Sequence, residues 1–256
     1  MTGTALITGA SSGIGLELAR LFAGDKWDVA LVARSEGKLR EIAAELQSAH
    51  GITARAIAAD LAKPSAPAEV MSALHGVDID ALVNNAGFGL GGAFAKSDGD
   101  AEVEMIQVNI TALTQLTKLV LPAMVARKRG AILNVASTAA FQPGPFMSVY
   151  YATKAYVLSF SEAIAEELSG SGVTVTALCP GPTETGFAAA AKVEDSTLFT
   201  KMRPAGAAEV ARVGYEAMKS GKRIAIPGMR NKLLAQSIRI SPRRMVTKIV
   251  RKLHED

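Results

Sequence analysis

Short apolar, β-branched runs alternate along this chain with longer stretches of helical period. Candidate strands lie at residues 4–8, 29–32, 54–58, 81–84, 131–136, 173–178 and 223–226. Helical patterns fill most of the gaps, at residues 13–23, 36–49, 65–74, 100–127, 151–168 and 207–219. Strands that alternate with helices predict right-handed βαβ units, and hence an α/β fold with a parallel sheet covered on both faces. No repeat, low-complexity linker or break in composition interrupts the pattern before about residue 228. We therefore expect one domain over residues 1–227, including a strandless connection at 183–206 that reads as a substrate loop, and a basic helical extension over 228–256 packed on or near it.

The 256 residues suffice for a core without a metal or disulfide staple. The single Cys179 excludes an internal disulfide framework and is consistent with a reducing, cytoplasmic setting. Three scattered histidines (His50, His75, His254) beside one cysteine do not build the usual zinc sites, so no metal is expected. The longest unbroken apolar runs, such as residues 119–126, fall far short of the roughly 20 residues of a spanning helix. The first seven residues have no basic stretch ahead of an apolar core and run straight into a strand, so no signal peptide is expected.

The motif TGASSGIG at 8–15 follows the first strand and opens the first helix. Gly9, Gly13 and Gly15 allow a tight turn and a close approach of backbone to a pyrophosphate. Ser11, Ser12 and Ile14 lie between them, and the next helix aims its N-terminus at the anion. A βα turn without a ligand is the plain alternative. Asp60, followed by Leu61, ends the third strand, where its carboxylate can accept from an adenine amino group or cap the next helix. Asn84, Asn85, Ala86 and Gly87 end the fourth strand at the carboxyl edge, where doubly wound sheets bind ligands. The second strand ends at Ala33 and Arg34, with no acid to grip a ribose diol. A guanidinium there can pair with a 2′-phosphate, so NADP(H) is expected over NAD(H). A solvated surface arginine is the alternative.

Tyr150 and Lys154 are four residues apart at the start of a helical pattern, which sets phenol and ammonium on one face. A nearby ammonium is expected to lower the tyrosine pKa and suit it to proton transfer. Ser137, thirteen residues upstream, lies just past the fifth strand, where its hydroxyl can hold a substrate oxygen. Asn109 is a polar amide in the middle of a long helical pattern, an awkward place unless it has a task.

Together these residues resemble the short-chain dehydrogenase/reductase family in its form of about 250 residues. The motifs carrying the resemblance are TGASSGIG at 8–15, Asp60-Leu61, NNAG at 84–87, Asn109, Ser137, YYATK at 150–154 and Pro180-Gly181, and they cover residues 4 to about 227. The resemblance implies a Rossmann-like sheet of seven parallel strands in the order 3-2-1-4-5-6-7. It implies hydride transfer between nicotinamide and a carbonyl or alcohol carbon. Tyr150 would be the acid/base, and Lys154 would tune it while holding the nicotinamide ribose. Ser137 would position the oxygen, and Asn109 would support a water relay behind Lys154. Asn85 would lie near the adenosine ribose, while Pro180, Gly181 and Thr183 would face the nicotinamide end. The helices containing Asn109 and Tyr150 would be dimer faces, so a homodimer or homotetramer is expected.

The loops expected around the nicotinamide are apolar: Phe88 and Leu90, then Phe141, Pro143, Pro145, Phe146 and Met147, then Phe187. No Lys or Arg stands in them to hold a small carboxylate or phosphate. A lipophilic ketone, aldehyde or alcohol is expected, with a 3-oxoacyl thioester as runner-up. A non-catalytic NADP-binding regulator is the rival from another class; it would need the glycine loop but not the intact Asn109, Ser137, Tyr150 and Lys154 set. Residues 222–256 hold ten Lys/Arg and two acidic residues, against 18 and 22 in the remainder. Ser241-Pro242 reads as a helix start. Beyond it Met245, Val246, Ile249, Val250 and Leu253 share one side of a helix, and Arg243, Arg244, Lys248, Arg251 and Lys252 share the other. Such a helix over 241–256 suits docking on the body, a subunit contact or peripheral adsorption to a membrane; nucleic acid is not expected.

Overall fold

A computed structural model describes residues 3–191 and 204–254, apart from the side chains of 189 and 190. Its elements run β1 (Thr4–Thr8), α1 (Gly13–Gly24), β2 (Asp28–Ala33), α2 (Glu36–His50), β3 (Ala54–Ala58), α3 (Ala66–Ala73) and β4 (Ile79–Asn84). Then come α4 (Gly99–Ile106), a π-helical turn (Gln107–Ala112), α5 (Leu113–Ala126), β5 (Gly130–Val135), α6 (Ser148–Glu167) and β6 (Val173–Leu178). The last described elements are β7 (Thr183–Glu184), α7 (Phe187–Ala191), β8 (Ala205–Gly206), α8 (Ala207–Lys219), β9 (Ile224–Ala225), α9 (Met229–Ile240) and α10 (Arg243–His254).

Seven strands form one parallel sheet in the order β3-β2-β1-β4-β5-β6-β9. This is the expected order, with β9 as the seventh strand. Alternate side chains of each strand enter opposite layers, because successive Cβ atoms point to opposite faces. Ile7, Leu31 and Leu133 pack with Leu18 and Phe22 of α1 and Leu39 of α2 on one face. Leu6, Leu82 and Ile132 pack with Leu116 and Val120 of α5 and Ile164 of α6 on the other. Strands buried on both faces leave no polar side to alternate with, which is why the strand runs are continuously apolar. The order reverses between β1 and β4, so the crossovers leaving these neighbours diverge and open a crevice at their carboxyl ends.

Four expectations change. The helical pattern at 100–127 is not one regular helix but α4 and α5 joined by the π turn that holds Asn109. The whole stretch Gly99–Ala126 is long and apolar enough to cross a membrane by length and composition, with mean hydropathy 1.3 and 39% of that window buried. Unbroken apolar runs miss it because single polar residues divide it; here it packs on the sheet through Leu116, Val120 and Met124. The connection at 183–206 is not strandless: β7 and β8 pair in parallel, Thr183 with Ala205 and Glu184 with Gly206, and close its two ends together. The middle of that expected substrate loop, 192–203, lies outside the described residues. Finally, Ser241 does not cap α10: its hydroxyl donates back to the Ser237 carbonyl at 2.7 Å, closing the end of α9.

Candidate active site

The crevice at the reversal point is one continuous cavity of about 910 Å³. Its floor at one end is the glycine loop. Gly9 and Gly13 sit at φ +65° and +54°, the left-handed region that a β-carbon disfavours. Gly15 is a different case: a Cβ there would lie 2.4 Å from the Gly9 carbonyl oxygen and from Asn85 Nδ2. The loop is tied to the end of β4. Asn85 Nδ2 donates to the carbonyls of Thr8 (2.9 Å) and Gly9 (3.2 Å). The Thr8 hydroxyl accepts from the backbone of Asn85 and Ala86, each at 3.0 Å. Replacing Gly15 by Ala is therefore expected to destabilise the fold by about 1–3 kcal/mol, seen as a lower urea midpoint. An unchanged midpoint would show that the loop has slack the packing does not suggest.

The Ser12 side chain makes no cap hydrogen bond at the start of α1, so the first-turn N–H groups keep their capacity for an anion. Gly9, Ser11, Ser12, Gly13 and Ile14 all line the cavity, followed by Arg34, Asp60 and Leu61. Gly15 is buried beneath the loop instead. Arg34 is exposed and enters no ion pair among the described residues. Asp60 Oδ1 accepts from the Ala62 backbone at 3.2 Å. Asn84 turns away from the cavity: it is buried and donates to Thr117 (3.1 Å) and to Asn134 Oδ1 (2.9 Å), its register partner on β5. This shape, with a glycine cradle, an uncapped helix start and a cation beyond β2, fits a dinucleotide lying from Arg34 to Lys154.

The other end holds the chemistry. Ser137 begins the 3-10 turn Thr138–Phe141, and its oxygen accepts from the Ala139 backbone at 3.1 Å. α6 starts at Ser148, three residues earlier than its pattern suggests, so Tyr150 stands in its first turn and Lys154 one turn on. Lys154 is buried and donates to the Val135 carbonyl at 2.8 Å. Burial brings its ammonium down to about 8. Burial also pushes the Tyr150 phenol up to about 12, against the opposing hydrogen bond from Ser137. The expected lowering by Lys154 is thus reversed in this state. The ammonium stands 5.9 Å from the ring centroid, and desolvation of a phenolate outweighs a charge at that range.

Asn109 is buried in the π turn. Its Oδ1 accepts from the Phe88 N–H (3.1 Å), and its Nδ2 donates to the Phe88 carbonyl (2.9 Å) and the Thr153 hydroxyl (3.1 Å). The amide thus sits inward within a π turn, a feature often found at functional sites. Asn109 thereby clamps the segment after β4 to α6. A Cβ on Gly87 would lie 2.9 Å from Asn109 Oδ1 and 3.5 Å from Lys154 Nζ, so the three positions meet. Ala86, Gly87, Pro180, Gly181 and Thr183 line the same wall. The Thr183 hydroxyl donates to the Gly181 carbonyl at 2.9 Å.

Of the expected apolar substrate residues, Phe88, Leu90, Met147 and Phe187 line the cavity, while Phe141, Pro143, Pro145 and Phe146 do not. Phe141 packs against the cluster around Val157 and Cys179 instead. Phe146 adopts φ +66° and lies beneath the Arg251 guanidinium, 5.9 Å from its ring centroid. The roof was not legible residue by residue. Leu234 and Ile238 of α9, with Val246, Val250 and Leu253 of α10, cover the cavity over Tyr150. Val246 and Val250 are buried in one cluster with Tyr150, Tyr151 and Met147. The Tyr151 hydroxyl shares a 2.9 Å hydrogen bond with His254 Nε2, which pins the end of α10. The apolar side of residues 245–253 was the available signal; the helix over 229–240 had none as clear.

Comparison with known proteins gives the family. The family profile described as short chain dehydrogenase matches residues 3–195. Serine 3-dehydrogenase of Agrobacterium fabrum is 36% identical over 234 residues, 88% of this chain and 92% of that protein. A very-long-chain 3-oxoacyl-CoA reductase of Laccaria bicolor is 38% identical over 175 residues, 67% of this chain; the chain spans only 52% of that relative's length. Among solved structures, a short-chain dehydrogenase from Sphingobium yanoikuyae in complex with NADPH is 33% identical with a TM-score of 0.84, covering 99% of this chain and 98% of that one.

Proposed function

Since this chain belongs to the short-chain dehydrogenase/reductase family of oxidoreductases, we propose that it transfers a hydride between NADP(H) and a carbonyl or secondary alcohol in a lipophilic substrate. The observation that carries this reading is one cavity with Arg34 at its nucleotide end, Ser137, Tyr150 and Lys154 midway, and an apolar roof at the far end. When bound, the nicotinamide would supply or accept the hydride. Gly9 and the start of α1 would hold the pyrophosphate, and Lys154 would hold the ribose beside the reacting carbon. Ser137 and Tyr150 would both bond the substrate oxygen. A phenol near 12 remains protonated at neutral pH, so it is ready to give its proton to the oxygen as an alkoxide develops. The roof and Phe187 would keep water away; Phe187 lies 5.1 Å from Tyr150 between ring centroids.

The test is NADPH oxidation against lipophilic ketones, 3-oxoacyl thioesters and small polar ketones. Turnover confined to the small polar ketones would overturn the substrate class. Reduction of 3-oxoacyl thioesters is the second reading, supported by the name of the L. bicolor relative. The two separate on the same panel. Exposed Val103, Ile106, Leu119 and Tyr156 on α4, α5 and α6 support a homodimer or homotetramer built on that face.

Cofactor binding should also depend on pH in a definite direction. Lys154 carries its charge below about 8 and loses it above. NADPH affinity is therefore expected to fall as pH rises through that value. A fluorescence titration should show the fall in the native protein and not in Lys154→Met. The same fall in both would assign it to another group.

A further inference from the structure

The two helices that roof the cavity leave an unusual outer surface. Ile240 is 88% exposed, Met229 69%, Leu233 65%, Ile249 52% and Met245 48%. Each stands next in sequence to a cation: Met229 to Arg230, Leu233 to Lys232, Ile240 to Arg239, Met245 to Arg244 and Ile249 to Lys248. From 228 to 254 there are eight Lys/Arg residues and no acidic one. We propose that α9 and α10 form a docking face for an anionic lipid bilayer, and that the cavity opens within this face.

Two arguments favour a bilayer over a protein. Protein interfaces concentrate apolar side chains in a core depleted of charge. Here cations adjoin the exposed apolar side chains in sequence along α9, and on α10 they take the side opposite the apolar one, the amphipathic pattern suited to the boundary between headgroups and acyl chains. The second argument is the mouth of the cavity. Leu234, Met245 and Ile249 line the cavity and are each about half exposed. An apolar path thus runs from the outer surface, past Val246 and Val250, to Tyr150. A water-borne polar substrate has no use for such a path; a molecule dissolved in a bilayer does. Arg243, Arg244, Thr247 and Lys248 form a shallow depression on α10, which gathers positive charge that headgroup phosphates could pair with.

The test is co-sedimentation of the full chain with vesicles of phosphatidylcholine alone or mixed with phosphatidylserine. The native protein is expected to pellet with the mixed vesicles, to remain in the supernatant with phosphatidylcholine alone, and to be released by salt. Leu233→Glu with Ile240→Glu should weaken binding by about tenfold or more. Arg243→Gln and Lys248→Gln should each weaken it by about fivefold. None of these four side chains is among Ser137, Tyr150, Lys154 or the glycine loop, so turnover of a soluble ketone should stay close to native. That control separates failure of the docking idea from failure of the enzyme reading. The proposal is overturned by absence of binding to mixed vesicles, or by equal binding of native protein and variants. It is also overturned if sedimentation shows a native dimer that the Leu233→Glu, Ile240→Glu pair splits, since a second copy would then cover the face.

Discussion

Replacing Tyr150 by Phe is expected to lower turnover by about 10²- to 10⁴-fold, the range for losing a positioned general acid, while NADPH affinity stays close to native. Among the described residues the phenol has no hydrogen-bond partner beyond Ser137, so its loss should remove proton transfer and little else. The neighbouring tyrosine is the built-in control. Tyr151 is also buried, and burial raises its phenol as well, but its hydroxyl is engaged by His254 at 2.9 Å. Tyr151→Phe should keep turnover within a few-fold of native and loosen α10, seen as faster proteolysis of the tail. If Tyr151→Phe abolished turnover and Tyr150→Phe did not, the acid/base assignment would be reversed. Stopped turnover with equal loss of NADPH affinity in Tyr150→Phe would instead show that the phenol matters to binding.

Replacing Arg34 by Ala is expected to raise KM for NADPH by about 10- to 50-fold, the value of a charge-assisted hydrogen bond reduced for solvent exposure. KM for NADH should hardly change, because the 2′-phosphate is the only group by which the two cofactors differ. Ala33 pairs with Ala58 at the end of β2, so an acid introduced by Ala33→Asp would sit beside the ribose diol and should shift preference toward NADH. The effect of Arg34 should shrink as ionic strength rises. Equal catalytic efficiency with NADH and NADPH in the native protein would remove the basis for both variants.

Much of this molecule is written locally, and the parts that are not share a cause. The glycine loop is legible because a left-handed turn excludes side chains at Gly9 and Gly13, and that restriction acts on single residues. The Tyr150–Lys154 pair is legible because helical spacing alone puts both on one face. Asn109 could be marked as misplaced, but not explained. Its contacts with Phe88 and Thr153 join positions 21 and 44 residues away, and the π turn that aims it has no period to read. Arg34 and Asp60 could be set at strand ends, whereas Asn84 was set at the same edge and proved to face inward. The pleat decides between the two faces, and a single residue of register reverses the answer.

By itself, then, the sequence determined the layered α/β architecture, the strand order through its family motifs, the glycine loop and the Ser137, Tyr150, Lys154 set. Each of these follows from period, spacing or backbone restriction within a short stretch. The tertiary structure alone decided which surface the tail covers and what ionises. Nothing local in residues 229–254 says that Val246 and Val250 will bury against Tyr150 and Tyr151, because that depends on a surface more than ninety residues away in the chain. The direction of the Tyr150 and Lys154 shifts is likewise a property of burial. Four residues of spacing bring a phenol and an ammonium to one face, but their burial sets which protonation state each prefers.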